Sequence, residues 1–320
     1  MQIHKLIFAF LGLSMLLIIS AFAAPEWISP FSSEGIEADL LWNYRIPKTI
    51  TALIAGASLS VSGFILQQLY RNNLAGPYIL GVSSGASLAV AVLIIGSHYF
   101  PFFNHGIGIS LAGFIGASLV LLLVMLVSAR FGTGAIILLF GVIIGQITGA
   151  LQGLLNYMAV PGDLKNFTLW SMGSFSQVIE FDLFFFGISA LLGIFWSFMI
   201  MPQLSTMLLG DEVAHTLGIK TKSISIQLLI CTGILSGIAT AFCGPIAFIG
   251  MAIPNVASLL FKTVNFRFML IVNAILGAAM ALVSDIISSA EILSFNIPIN
   301  VCTALIGGPF IIYILLKRKP

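Results

Sequence analysis

The sequence predicts an all-α bundle of about ten membrane-crossing helices, and three observations predict it. Hydrophobic residues make up 59% of the 320 positions and the mean hydropathy is +1.12, well above the roughly 45–50% apolar usage of soluble domains. Apolar runs long enough to cross a hydrocarbon core of about 30 Å recur along the whole chain, and a helix satisfies its own backbone there. Strand-length alternation is absent, which sets a β-barrel aside. The cations, finally, concentrate in alternate connecting segments and so on one side of the membrane.

The spans are predicted at about Leu6 to Ala24, Ile50 to Leu69, Leu80 to Ile95, Gly106 to Ala129 and Gly134 to Met158. Five more follow at about Phe181 to Met201, Ile224 to Cys243, Ile246 to Phe261, Phe268 to Ile287 and Ile297 to Leu316. The eighth, short and opened by Gly244-Pro245, reads as either a crossing or a broken, tilted helix. Positive residues near span ends favour the cytoplasm. With the N-terminus inside, that side receives Lys5, Arg71, Arg130, Lys220, Lys222, Lys262, Arg267, Lys317, Arg318 and Lys319, and only Arg45, Lys48 and Lys165 remain outside. Both termini are therefore expected in the cytoplasm. Residues 1–24 carry two readings, a retained helix or a cleavable signal peptide ending in Ala21-Phe22-Ala23-Ala24. Cleavage leaves nine spans in the same orientation.

Outside the spans the longest segment, Pro25 to Thr49, is too short for a core of its own and is expected on the outer surface. One transmembrane domain, 1–320, is the expectation. Several chemistries are excluded or disfavoured. There is no Gly-x4-Gly-Lys-Ser/Thr pattern to cradle ATP phosphates, so ATP must be bound by a partner subunit. Cys231, Cys243 and Cys302 are single and far apart, packing residues rather than metal ligands or disulfide partners. Gly81-Val82-Ser83-Ser84-Gly85 matches a hydrolase nucleophile elbow in letters, but it opens a membrane helix with no strand before it and no histidine near it. The four histidines, His4, His98, His105 and His215, are scattered. His98 and His105 bracket Tyr99, Phe100, Phe102 and Phe103, which read as an aromatic belt at the interface or, alternatively, as a haem hand-over point. No enzyme, metal or nucleic-acid function is expected.

Two spans carry polar stripes. Gly56, Ser60, Gly63 and Gln67 share one face of the second, and Gly145, Gly149, Gln152 and Asn156 share one face of the fifth. Such stripes are either tight packing seams or the lining of a pathway, and both readings stand for each. Carriers driven by an ion gradient usually embed acids near the midplane. Here Asp285, toward the outer end of the ninth span, comes nearest to that, with a structural role as the alternative.

Charge is concentrated in one place. Only 8% of residues are charged, yet Asp211, Glu212, Lys220, Lys222 and one of the four histidines fall within GDEVAHTLGIKTK, residues 210–222. Acids after Gly210 suit a helix start, and Gly218 with the following lysines suits its end. Val213, Ala214 and Leu217 would give it a small apolar face.

Several segments together resemble one family. They are Trp27-Ile28-Ser29-Pro30, Arg45-Ile46-Pro47-Lys48, Arg71-Asn72-Asn73-Leu74-Ala75-Gly76-Pro77 and Leu80-Gly81-Val82-Ser83-Ser84-Gly85-Ala86. Gly210-Asp211-Glu212-Val213-Ala214 with Leu217-Gly218, Gly244-Pro245-Ile246-Ala247-Phe248-Ile249-Gly250, and Ile297-Pro298 with Thr303 to Phe310 complete the set in one order along the chain. The chain resembles the FecCD-type permease subunits, BtuC-like in fold, of ATP-binding-cassette importers for iron-siderophores, haem and vitamin B12. The resemblance implies a multi-pass subunit of a bacterial inner membrane, working as a homodimer with two ATPase subunits and a periplasmic substrate-binding protein. A ferric siderophore is the first expected cargo, haem or cobalamin the next.

By the same resemblance, the loop at about 203–223, with Gly210, Asp211, Glu212, Val213, Ala214, His215, Leu217 and Gly218, is the coupling segment that seats in the ATPase. Arg45 and Lys48 dock the binding protein. The fifth span and Asn166 to Gln177 lie near the pathway axis, and the stripe residues Gly145, Gly149, Gln152 and Asn156, with Gln67, are the candidates to line it. Gly132, Thr133 and Gly134 form the cytoplasmic gate. The sequence departs from the family's pattern at Ser289, where a third outer arginine is common, at Asn296, Asn255 and Ser258, and at Asn73 and Gly76. A gradient-driven secondary transporter is the alternative function, and an integral-membrane enzyme a further one.

Overall fold

The computed structural model describes residues 2–23, 35–96, 107–131, 135–178, 180–290 and 297–317, and among the described residues the regular elements are all helical. Helix α1 (Gln2–Ile18) runs on into a π-helical turn, Ile19–Ala23. Helix α2 (Ile36–Leu40) passes through a second π turn, Leu41–Arg45, into α3 (Ile46–Leu69). Then come α4 (Val82–Ile95), α5 (Ile107–Phe131), α6 (Ala135–Met158), α7 (Pro161–Ser171), α8 (Glu180–Met207) and α9 (Asp211–Thr216). The chain finishes with α10 (Thr221–Cys243), α11 (Ile249–Phe261), α12 (Phe266–Ser289) and α13 (Ile299–Lys317).

Seven of these helices are long and apolar enough to cross a membrane, the α2–α3 helix counted as one. The predicted third and eighth spans correspond to the shorter apolar helices α4 and α11, of 14 and 13 residues, and the tenth to α13, of 19 residues. At 1.5 Å per residue the 14 residues of α4 rise only about 21 Å. The missing length is made up by non-helical backbone, the turns at 70–81 before α4 and residues 244–248 before α11. Irregular backbone at membrane depth needs protein around it, and Ala75, Gly76, Pro77, Gly244, Pro245 and Ile246 are all buried.

Two expectations are corrected. The second span, expected to start at about Ile50, belongs to a helix that starts at Ile36, and Ile36–Leu69 is one helix of 34 residues, about 51 Å long. Glu37, Asp39, Asn43, Arg45 and Lys48 keep its first turns from reading as a span, because a helix that projects past the hydrocarbon no longer needs apolar residues. Helix α7 was not expected at all. Val160 is extended, Pro161 holds the first helical position, Asp163 lies in the first turn, and Phe167 and Trp170 bury one face. Residues 172–178 then fold against the end of α10, with the Ser174 amide donating to the Cys243 carbonyl at 2.9 Å.

Helix α3 is the axis, packed on α8, α10, α11 and α12. Its small residues explain why the neighbours come so close. A Cβ on Gly56 would collide with the Gly277 carbonyl of α12, and one on Gly63 with the Gly250 carbonyl of α11. Between these contacts the Ser60 hydroxyl donates to Asn273 Oδ1 at 3.3 Å, and the Gln67 amide donates to the Met251 carbonyl at 3.0 Å. The stripe on the second span is thus a packing seam of small and amide-bearing residues. Gln67, expected on the pathway, is buried within that seam.

Candidate functional site

Three regions gather the residues singled out in the sequence. The first is the polar segment between α8 and α10. Helix α8 continues past its expected end through Pro202 to Met207, and Leu208 to Gly210 lead into α9. Gly210 has φ 122°, a backbone shape that side chains resist, and lets the chain turn sharply before Asp211 starts the helix. The helix stops in a Schellman motif: the Gly218 amide donates to the His215 carbonyl and the Ile219 amide to the Ala214 carbonyl, both at 2.9 Å, with Gly218 left-handed at φ 76°. Ala214 is fully buried against the body, whereas Val213 and Leu217 are exposed, together with Leu209. The expected apolar face of Val213, Ala214 and Leu217 therefore divides, since neighbours in sequence lie about 100° apart on a helix. What points outward is Leu209, Val213 and Leu217, ringed by Glu212 and His215, which are also exposed.

Arg71 anchors this segment, and sequence reasoning gave it no role. Helix α3 also ends in a Schellman motif, Asn72 to Gln67 at 3.1 Å and Arg71 to Gln68 at 3.2 Å, but the left-handed position holds Arg71, at φ 48°, instead of glycine. Its guanidinium donates to the carbonyls of Met207 at 3.1 Å and Leu208 at 3.5 Å. A cation there satisfies free carbonyls and complements the dipole at the end of α8. The arginine in a glycine-like position directly after α3 was the available signal.

The second region lies at the opposite rim. Lys48 Nζ is 2.9 Å from Asp285 Oδ1 and donates to the Ser289 hydroxyl at 2.6 Å. The Ser20 hydroxyl, from the π turn after α1, donates to Asp285 Oδ2 at 3.2 Å and shares a 3.0 Å bond with Thr49. Three elements meet here: α1, α3 and α12. Asp285 is the structural acid of the two readings, and Lys48, expected to dock a binding protein, is engaged within its own chain. Ser289, standing where the family pattern has arginine, accepts from that lysine. Arg45, one turn before Lys48, is half-buried.

The third region is one face of α6. Gly149 and Gly153 have open space where a side chain would stand, and Ile143, Ile147, Leu151, Leu154 and Tyr157 are exposed around them. Gly145 sits near Ser84, and the Gln152 amide donates to the Ser84 carbonyl at 3.3 Å. Asn156 keeps a buried Oδ1 without a hydrogen-bond donor. Gly141, lower on the helix, lies against Ile79 and Leu80. On the far side of that turn is a cavity of about 630 Å³ between residues 76–79, residues 246–251 and α13, where Asn300 and Tyr78 are the polar side chains and no acid, lysine, arginine, histidine or cysteine is present. Of the four stripe residues on α6, Gly149 stands in open space, whereas Gly145 and Gln152 turn toward Ser84 of α4 and Asn156 is half-buried; Gln67 lies apart from them all.

Other expectations resolve as follows. Ser83 of the elbow-like motif is buried and shares a 3.1 Å bond with Thr240, and Gly81 at φ 78° simply starts α4. The three cysteines are free and buried. No group of His, Cys, Asp and Glu among the described residues could hold a metal. Gly132, Thr133 and Gly134, His98 and His105, and Trp27 to Pro30 lie outside the described residues.

Comparison with known proteins identifies the family and the fold. Residues 6–317 match the model of the FecCD transport family. The hemin transport system permease protein HmuU of Yersinia pestis is 33% identical, over 88% of this chain and 85% of that protein. The vitamin B12 import system permease protein BtuC of Vibrio cholerae is 31% identical, over 91% of this chain and 87% of that protein. A solved structure described as an inward-facing conformation of a metal-chelate type ABC transporter superposes with a TM-score of 0.87 at 28% identity, covering 98% of this chain and 99% of that one.

Proposed function

The chain belongs to the FecCD transport family, and from that premise we propose that it is the permease subunit of an ATP-binding-cassette importer that carries a metal chelate across the inner membrane. A separate ATPase, present twice, powers it. A second copy of this chain completes the pathway, and a periplasmic binding protein delivers the cargo. A ferric siderophore is the first candidate, with haem and vitamin B12, the cargoes in the relatives' names, close behind.

The observation that carries this reading is the suspension of α9. A short helix with an apolar outward edge, Leu209, Val213 and Leu217, hangs from α8 and α10 and is pinned through Arg71 to α3, the axis of the bundle. A partner that grips that edge moves the bundle as a lever moves a shaft, and packed helices respond by switching between discrete arrangements. This chain supplies the path and the lever, while nucleotide chemistry belongs to the partner. The open α6 face, with Gly149 and Gly153 uncovered, suits the second copy and the cargo between the two. The cavity between residues 76–79, residues 246–251 and α13 offers apolar surface and neutral polar groups, which suits a chelate whose metal is already fully ligated.

A gradient-driven carrier is disfavoured by one contact. Asp285, the acid nearest to the requirement, is paired with Lys48 and buried, so it is not a free proton site. The test is reconstitution. Purified chain in liposomes with its ATPase and binding protein should accumulate a ferric chelate only when ATP is inside. Accumulation by the chain alone on an ion gradient overturns the proposal.

A further inference from the structure

Helices α5 and α8 diverge at the rim opposite α9, and α10 floors the gap, leaving a groove of about 390 Å³ on the outside of the bundle. Phe114, Phe181, Phe185 and Phe242 make it apolar, and Asp182 and Ser189 stand in its α8 wall. Below the groove both helices present exposed large apolar residues, Leu119, Leu122 and Leu126 on α5 and Leu191, Leu192 and Phe195 on α8, so this face meets hydrocarbon. A chain of lipid is what such a surface meets first.

Asp182 is out of place on it. Acids within spans are normally paired, yet no ion pair among the described residues includes Asp182. The ion pair found at this rim, Lys48 with Asp285, joins α3 and α12, not the groove. Asp182 lies near the start of α8 and is only half-buried. A half-buried anion at the mouth of an apolar groove, with no ion-pair partner among the described residues, calls for a cation that arrives attached to something apolar.

We propose that this groove binds a phospholipid with a primary-amine headgroup, its acyl chain against the phenylalanines and its ammonium on the Asp182 carboxylate. An anionic phospholipid would bring a second negative charge to the same point and be disfavoured. The inference needs only that the chain sits in a bilayer, and it stands or falls independently of the cargo.

The experiment uses the full chain in nanodiscs holding equal amounts of phosphatidylethanolamine and phosphatidylglycerol, with retained lipid counted by native mass spectrometry. Wild type should retain the ethanolamine lipid over the glycerol lipid by about fivefold, the ratio that corresponds to a modest ion pair. Asp182→Asn, nearly isosteric, should bring the ratio to about one, and Asp182→Lys should invert it. Ser189→Phe, which fills the groove, should lower retention of both lipids together. Equal retention by wild type, an unchanged ratio in Asp182→Asn, or a co-purifying polypeptide in place of lipid overturns the proposal.

Discussion

Lys48 of α3 and Asp285 of α12 form an ion pair of 2.9 Å at the rim of the bundle, with the carboxylate 2% exposed and also bonded by Ser20. A buried carboxylate that loses its cation costs about 3–5 kcal/mol, whereas replacing both partners by apolar residues is often neutral. Lys48→Met should therefore destabilise by about 3 kcal/mol, at the low end because the lysine is partly exposed, and lower the melting temperature in detergent. Lys48→Met combined with Asp285→Leu should recover most of the loss. Asp285→Asn should also lower stability while leaving affinity for the binding protein within about twofold. A large change in that affinity would return Lys48 to the docking surface.

Arg71 pays for its left-handed backbone with about 1–2 kcal/mol, offset by bonds from its charge to the end of α8, each worth about 1.5–3 kcal/mol. Two substitutions separate these effects. Arg71→Gly relieves the strain but removes both bonds, so stability should fall by at least about 1 kcal/mol, and ATP-driven uptake should fall about tenfold because α9 is no longer pinned to α3. Arg71→Ala keeps the strain as well and should be the less stable of the two by about 1 kcal/mol. Melting temperature and uptake, measured on the same preparations, check both.

The sequence makes the bundle legible wherever one physical demand dominates. Hydrocarbon demands long apolar runs, and each of the ten predicted runs contains an apolar helix, seven of them long enough to cross. Where protein replaces lipid as the surroundings, the signal weakens: α4 and α11 are short because buried turns supply the remaining depth, and no hydropathy window reports that. Helix α7 was readable from Pro161, Asp163 and the spacing of Phe167 and Trp170, but its mean polarity hid it among loops. The stripe on α3 and the stripe on α6 look alike in sequence. Only the partners differ, Gly277 and Gly250 across one and open space beside the other, and partners are a tertiary fact. Pairing of Lys48 with a residue 237 positions away is equally beyond local pattern.

The division of the α9 face gives a pair of opposite expectations. Leu217 is 63% exposed, so Leu217→Asp should leave stability within about 0.5 kcal/mol and abolish co-purification with the ATPase. Ala214 has no free surface, so Ala214→Leu should overpack the contact with the body and cost about 1–3 kcal/mol. If Leu217→Asp still binds the ATPase and sustains uptake, the outward edge of α9 is not the gripped surface.

The two glycine stripes allow the sharpest discrimination, because the same substitution should act through different physics. At Gly63 an added side chain runs into the Gly250 backbone, and backbone cannot swing aside as a side chain can, so Gly63→Leu should prevent a monodisperse folded product. At Gly149 nothing lies within 4 Å of the position a Cβ would take, so Gly149→Leu should fold with a melting temperature close to wild type. Its effect should instead appear between copies and along the path: weaker self-association by light scattering and, with the ATPase present, uptake lowered about tenfold or more. Normal self-association and uptake in a well-folded Gly149→Leu chain would mean that the open α6 face meets lipid, and the pathway would have to be sought beside the cavity at α13.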